Sequence, residues 1–520
     1  MCASHQTMTH SLSPPVFTPP SFWQRAIPRL TTLTNLAFAV YILLNLTTPS
    51  WRYGPFAWFS LVTIEEWAGA PVQLGLFNLL PVLIVGGWGT QLLWHWYHQT
   101  SRPVWGWWGI TLPLMLFTWW GLLSLDEAPT RRTLIQGIGL ALAWLIFLYT
   151  LQHPRDWSRP LLLIVFIQSL IALGQFFRQQ DLGLVYLGEL PLNPHFTGIT
   201  VLNARDVNWL RAYGLTTHPN QLGALLAGLL LILIPAWYVH WRQQRPQAIT
   251  FLFSLTIGLG AAALYVTFSR AAILGFLVGL FLLAASGDFT RRRLPANTVS
   301  SPGFWPYSQT VLHLCLILLP PIFVLLAYGD LALSRLFHLE QPLEATSIND
   351  RVVAIEVAQE VIELNWLKGV GLGNYADYAR SAISLDAFTV HNIPLLMVAE
   401  LGLPGGFLWL WLALAPFLYL LYRRVRSPAT RLDHESEDGF TLSLLAPWAA
   451  MFVIGLFDVT LWLTTHWQTA ILYGLFLAHL HYPLAHITPL KKGQNRAWCK
   501  SRHTVLNNLE GDFPNRPTNL

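Results

Sequence analysis

Four residues of this chain join a charged or reactive side chain to a place at the lip of a long apolar run: Arg211, Arg270, Arg351 and His391. An arginine presents a rigid planar fork that can donate to two phosphate oxygens at once. A neutral imidazole, with an ordinary pKa of about 6.5, can take a proton from an attacking hydroxyl at ambient pH. Arg270 stands in FSRAAILG with apolar runs on both sides and almost no loop, so two helices meet in a hairpin tipped by Ser269 and the guanidinium. That arginine either snorkels to phospholipid headgroups or is held as a phosphate donor. Arg351 follows Asp350, and its bland account is a local ion pair of little worth. Arg211 opens RAYGLTTHPNQLGALL, where His218, Pro219 and Asn220 begin an apolar helix. A helix cap with proline in the first turn accounts for them structurally, and contact with a ligand accounts for them functionally.

The most specific pattern is HNIPLLMVAELGLPG, residues 391–405, with His391 and Asn392 at the start of a span and Gly402 and Gly405 following. At about 100° per residue, Gly402 returns to within about 20° of the His391 direction and Gly405 to within about 40°. A helix continuous through Pro394 and Pro404 would carry the imidazole above a face of bare backbone, against which a neighbouring helix could pack closely. Glu400 would point to the opposite face inside the membrane, where it must find a partner or stay protonated.

The elements that position these residues follow from composition. Only 11% of the 520 residues are charged and 53% are hydrophobic, with a mean hydropathy of +0.44. A soluble chain carries about 25% charge. The expected fold is an all-α integral membrane protein with about twelve spans, near residues 30–48, 72–95, 104–124, 133–152, 158–177, 221–240, 249–268, 271–287, 310–332, 392–422, 441–463 and 466–486. Residues 1–29 read as a disordered cytoplasmic tail without signal-peptide features, and 487–520 as a basic cytoplasmic tail. Basic clusters at Arg291–Arg293, Arg423–Arg426 and Lys491–Lys492 orient the chain with both termini in the cytoplasm.

That orientation makes 178–220 and 333–391 two long extracytoplasmic segments between the helical groups 30–177, 221–332 and 392–486. Long aromatic-rich loops of this kind are expected to be folded and functional. Within the second, residues 347–366 read as an amphipathic helix at the membrane surface, opened by Asn349 or Asp350. The net charge of +5 is spread over short loops with no basic stripe or nucleic-acid motif, so nucleic acid is not an expected partner. Cys2, Cys315 and Cys499 form no framework, and His479, His481 and His486 read as interfacial. There is no phosphate-binding loop of the Walker type or dinucleotide fingerprint; the glycines of KGVGLGNY, 368–375, serve a tight turn in preference to cradling phosphate.

Taken together, the RAYGLTTHPNQLG segment, the SRAA hairpin, the NDR segment running to KGVGLGNY, and the His-Asn pair spaced before Gly402 and Gly405 resemble the O-antigen ligase and polymerase superfamily over roughly residues 205–410. The resemblance implies a GT-C-like membrane glycosyltransferase in the plasma (inner) membrane. Its donor would be a glycan on a polyprenyl diphosphate, and its acceptor a hydroxyl of a lipid or glycan such as lipid A core. Membrane lipids would be its surroundings. It further implies His391 as general base, Arg270 and Arg351 at the leaving diphosphate, and Arg211, His218, Asn220 and Asn392 in substrate binding, with no cofactor and no metal. A polymerase of the same superfamily and a bicarbonate or small-anion transporter are the alternatives. The first 200 residues match no motif.

Overall fold

Backbone in hydrocarbon has no water to bond, so apolar runs fold into helices that satisfy their own amides. The computed structural model describes residues 22–47, 60–67, 70–75, 79–97, 108–124, 131–153, 158–204, 207–242, 247–285, 307–337, 342–384, 389–426, 445–459 and 474–475. Both expected tails fall largely outside these residues, as do most of the span at 466–486 and the histidines at 479, 481 and 486.

Contacts divide the chain into two units. One comprises residues 1–41 and 77–102 and contains most of α1 (Phe22–Thr47) and all of α2 (Leu79–Tyr97). There Gln91 donates to the Thr34 hydroxyl at 3.2 Å, a polar clasp between apolar helices. The helix from Phe22 replaces the last residues of the expected disordered tail. The expected span from residue 72 begins instead at Leu79, because β1 (Ser60–Trp67) and β2 (Ala70–Gly75) pair antiparallel just before it.

The second unit comprises residues 42–76 and 103–520. Its helices are α3 (Trp108–Leu123), α4 (Arg131–Gln152), α5 (Ser158–Arg178), α6 (Pro219–Arg242), α7 (Gln247–Val266) and α8 (Arg270–Ala285). They continue with α9 (Tyr307–Phe337), α10 (Pro342–Asn365), α11 (Tyr375–Ala382), α12 (Ile393–Arg426) and α13 (Leu445–Phe457). α7 packs against α5, α6 and α9, α8 packs against α6, and α3 and α10 flank α12. Among the described residues six helices are long and apolar enough to cross a membrane, and α3, α8 and α13 are shorter apolar helices. The chain is thus a mostly helical, multi-pass membrane protein.

The segment between α5 and α6 is folded. β3 (Val201–Ala204) and β4 (Val207–Leu210) form a hairpin, and buried Glu189 accepts from the amides of Leu182 and Leu184 and from Gln175. Two glutamines of α5 and Gln179 just after it then dock the strand leading to α6. Gln179 accepts from the Leu210 amide, Gln175 from those of Tyr213 and Gly214, and Gln168 from that of Leu215. An amide side chain can satisfy extended backbone where no strand partner exists.

α12 departs from the expected continuous helix. It breaks at Gly402, whose φ of 65° and ψ of −175° belong to a region only glycine occupies. What fills the break is the backbone of the loop 366–371. Val370 donates to the Ala399 carbonyl at 3.0 Å, Gly371 to that of Glu400 at 2.9 Å, and Leu403 to that of Trp366 at 2.8 Å. The carbonyls and amide freed by the break are therefore bonded inside the protein. The contact is so close that a Cβ on Gly369 would lie 2.3 Å from the Glu400 oxygen, and one on Gly402 2.2 Å from that of Leu367. The glycines of KGVGLGNY serve this backbone pairing as well as a turn.

Gly369→Ala and Gly402→Ala are each expected to destabilise the fold by more than about 2 kcal/mol, from left-handed strain plus backbone collision. The control is Gly86→Ala, where an added Cβ meets nothing within 4 Å. The check is the yield and thermal midpoint of detergent-purified protein; wild-type midpoints for both loop variants would mean that the pairing is dispensable.

Candidate active site

Arg211 is 1% exposed. Its Nε donates to the Thr267 carbonyl at 2.7 Å, and its terminal nitrogen donates to Asn220 Oδ1. Asn220 passes the contact on, donating through Nδ2 to Asp458 Oδ2 at 2.6 Å. Asp458 is 2% exposed and follows α13. A buried cation and a buried anion are thus joined through one amide, as burial of charge requires.

His218 caps α6. Its Nδ1 accepts the Asn220 amide at 3.1 Å, which leaves the proton on Nε2, 3.3 Å from the Thr200 hydroxyl. Pro219 takes the first helical position, where a missing amide hydrogen costs nothing. His218 and Arg211, both expected to contact substrate, make framework contacts here. Both ring nitrogens of the histidine face protein atoms, and the guanidinium lies one layer behind Asn220, which it orients.

The hairpin between α7 and α8 turns on three buried residues, Thr267, Phe268 and Ser269. Phe268 adopts a φ of 48°, held there by its ring packing on Phe176 and Tyr265. The Ser269 carbonyl accepts from Ile273, and Arg270 becomes the first, half-buried residue of α8. Ser269, Arg270 and Ala271 line a cavity of about 250 Å³ together with Asn220, Leu274, Arg351, Phe457 and Asp458. The first turns of α6 and α8 both reach this cavity, and helix N-termini favour negative charge.

Arg351 arrives on α10. That helix starts at Pro342, so the expected cap at Asn349 or Asp350 is replaced by helix interior. Ala354, Val357, Ala358 and Val361 are buried, the i, i+3, i+4, i+7 stripe of a helix packed on α12, whereas Val353 and Ile355 of the expected apolar face are exposed. Successive helical residues do not face each other, and no ion pair joins Arg351 to Asp350. Among the described residues Arg351 has no hydrogen bond or ion pair, and it lines the cavity half-buried.

His391 precedes α12, so it shares no helical face with Gly402 or Gly405. Asn392 is the cap. Its Oδ1 accepts the Leu395 amide at 2.9 Å, and its Nδ2 donates to the Leu456 carbonyl at 3.0 Å. These bonds make Asn392, expected to contact substrate, the cap that ties His391 to α13. The Nδ1 of His391 is buried without a partner among the described residues. Burial holds the imidazole below its ordinary pKa, Asp458 pulls it up and Arg351 pushes it down, with a net lowering. The ring is therefore neutral at neutral pH and lies within electrostatic reach of two cavity residues, although it does not line the cavity itself. Glu400 is buried within α12; with burial, its charge pushes the Tyr375 hydroxyl up to about 12.

The structure thus brings together Asn220, Arg270 and Arg351, sets His391 beside them, and uses Arg211, His218 and Asn392 to hold the frame. Asp458 is the residue that the motif reading missed. A lone acid in the apolar run GLFDVTLWL was the available signal, since a carboxylate in a span demands a function or a partner. Among the described residues no three His, Cys, Asp or Glu side chains form a metal-binding group.

Residues 253–410 match the family model described as O-antigen ligase. The match runs from within α7 to within α12 and carries Arg270, Arg351 and His391. It supports the O-antigen ligase superfamily and an enzyme of glycosyltransferase or ligase type. No curated protein matches the chain significantly.

Replacing Arg211 by Met is expected to cost about 3–5 kcal/mol, because a buried carboxylate loses its counter-charge. Adding Asp458→Leu should recover part of that loss. Thermal unfolding of the two single variants and the double variant measures the coupling; strictly additive losses would mean that the two charges act independently.

Proposed function

We propose that this protein moves a glycan from a polyprenyl diphosphate to an acceptor hydroxyl on the extracytoplasmic face, as an O-antigen ligase-like glycosyltransferase. The observation that carries the reading is one cavity lined by Arg270 and Arg351, with a neutral His391 beside it, inside the segment matched to O-antigen ligase. The orientation rests on the basic clusters, which put both termini in the cytoplasm.

In the reaction the acceptor oxygen attacks the anomeric carbon as the bond from that carbon to the diphosphate oxygen breaks. The electron pair leaves with the diphosphate, and the hydroxyl proton passes to the imidazole. Charge grows on the diphosphate, and preorganised donors lower the barrier where charge grows. Arg270, Arg351 and the amide ends of α6 and α8 supply them. Because Nδ1 is enclosed by protein, Nε2 is the nitrogen through which His391 takes the proton. Asp458, which favours the protonated ring, steadies the imidazolium that results. The two arginines do the work that a divalent cation does elsewhere.

Lipid A core or another surface glycan is the proposed acceptor. A small-anion transporter would bind its substrate where helices break near the membrane midplane. The break in α12 is filled by backbone of residues 366–371, and the arginines sit apart from it, which favours the transferase.

His391→Ala is expected to leave membrane-inserted protein that binds donor while transfer falls by a factor on the order of 10² to 10⁴. Wild-type transfer should fall on acidification, because the working form is the unprotonated ring. Since burial and Arg351 lower its pKa, the midpoint should lie below about 6.5. Transfer by a reconstituted His391→Ala preparation at the wild-type rate would remove the imidazole from the mechanism.

Arg270→Lys and Arg351→Lys are expected to impair transfer nearly as much as the Ala substitutions, since a point charge does not reproduce a fork. Glycan transfer at matched protein level is the readout, and full activity of both Lys variants would return these residues to headgroup snorkelling.

A further inference from the structure

Ser269 stands just before Arg270, at the N-cap position of α8, where a serine ordinarily turns its oxygen back to accept an amide of the first helical turn. Here it does not. Its amide donates to the Thr267 hydroxyl at 3.3 Å and its carbonyl accepts from Ile273 at 3.0 Å, while its own hydroxyl makes no hydrogen bond among the described residues. Ser269 is 3% exposed, and it lines the cavity beside Arg270 and Ala271. A buried hydroxyl left unbonded by protein is costly unless a ligand bonds it.

The turn that carries this hydroxyl is strained and clamped. Phe268 takes its φ of 48° just past the end of α7, a position where glycine is the ordinary choice and a bulky side chain is strained. Its buried ring lies 5.8 Å from that of Phe176 and 5.6 Å from that of Tyr265. Arg211 takes the preceding carbonyl, that of Thr267, and the turn also lies flush on α6: a Cβ added to Gly223 would come within 3.1 Å of the Ser269 Cβ and 3.0 Å of the Thr267 hydroxyl oxygen. Strain of this kind persists only where the surroundings over-determine it, and it gathers where position matters. The backbone of Ser269 is thus fixed, and its hydroxyl is left over at the cavity.

We propose that Ser269 is a further catalytic residue: its hydroxyl donates to a diphosphate oxygen of the donor, and that oxygen, not the serine, caps the first turn of α8. The proposal rests on the diphosphate reading above. No bond forms between the serine and the substrate, and the hydroxyl keeps its proton throughout. Its hydrogen bond strengthens as the leaving electron pair raises the charge on the diphosphate, so it lowers the barrier more than it tightens binding. A capping serine and a donating serine differ in what they support. The cap stabilises the fold with or without a ligand; the donor contributes only when the anion is there.

The test is Ser269→Ala in the full-length protein, purified in detergent and measured for thermal midpoint and for glycan transfer from a polyprenyl diphosphate. The midpoint is expected to stay at the wild-type value, since no cap bond is lost. The kcat for transfer should fall by a factor on the order of 10 to 10², the share of one hydrogen bond to a charged oxygen, while KM for the lipid-linked donor changes less. The acid midpoint of transfer should stay where His391 sets it, which separates loss of a phosphate donor from a disturbed base. A lowered thermal midpoint would make Ser269 an ordinary cap and overturn the proposal, as would turnover at the wild-type rate or a shifted acid midpoint. Arg270→Ala in the same assay tells two failures apart: if it is impaired and Ser269→Ala is not, only the role of the hydroxyl falls, and if both transfer as wild type does, the diphosphate site falls with it.

Discussion

A guanidinium with 1% of its surface exposed cannot stay charged inside a membrane protein unless every donor finds an acceptor, and the candidate site is built around meeting that demand at Arg211. The residue is delivered by extended backbone held by Gln168 and Gln175 of α5 and by Gln179 just after it. Its fork then reads two elements at once, the carbonyl of Thr267 at the α7–α8 turn and the amide oxygen of Asn220 at the start of α6. Through Asn220 the same charge reaches Asp458 after α13. Four elements are thereby set relative to one another by a single buried cation, and the cavity opens where they meet. Arg270 and Arg351 stand at its wall.

The second constraint is the break in α12. A continuous helix would bury Glu400 and the preceding carbonyls with no room for the 366–371 loop. Gly402 ends the helical path for one residue, and the loop supplies two amides and a carbonyl in strand-like fashion. Trp120 of α3 adds a bond to the Leu401 carbonyl at 2.8 Å. The short helical piece from Ile393 is fixed at one end by this pairing and at the other by Asn392, whose amide holds Leu456. His391 hangs from that fixed end. An imidazole positioned by two anchors, with its pKa lowered chiefly by burial, suits the role of base proposed for it.

Much of this was legible in the sequence, for physical reasons that also mark where reading stops. Long apolar runs must become helices in lipid, so the helices α5 to α8 were visible as hydropathy. Polar residues that interrupt such runs are costly, so Asn220, Arg270, Arg351 and His391 could be singled out one by one. Whether such a residue faces a ligand or another part of the chain depends on contacts between residues hundreds of positions apart. Arg211, His218 and Asn392 make contacts within the frame that no local reading could supply, and Asp458, 238 residues from Asn220, escaped notice. The angular argument linking His391 to Gly402 assumed one unbroken helix. The glycine taken for a packing surface was instead the site of the break, as its positive φ requires.

The central claim is transfer of glycan from a lipid diphosphate, and the surface glycans of cells lacking the protein test it most directly. The account predicts that deletion removes long glycan chains from their lipid or glycan acceptor while the polyprenyl-diphosphate-linked glycan accumulates, both restored by the wild-type gene and not by one encoding His391→Ala. Unchanged acceptor glycans and no accumulation of the lipid-linked donor, together with altered uptake of a small anion, would contradict it.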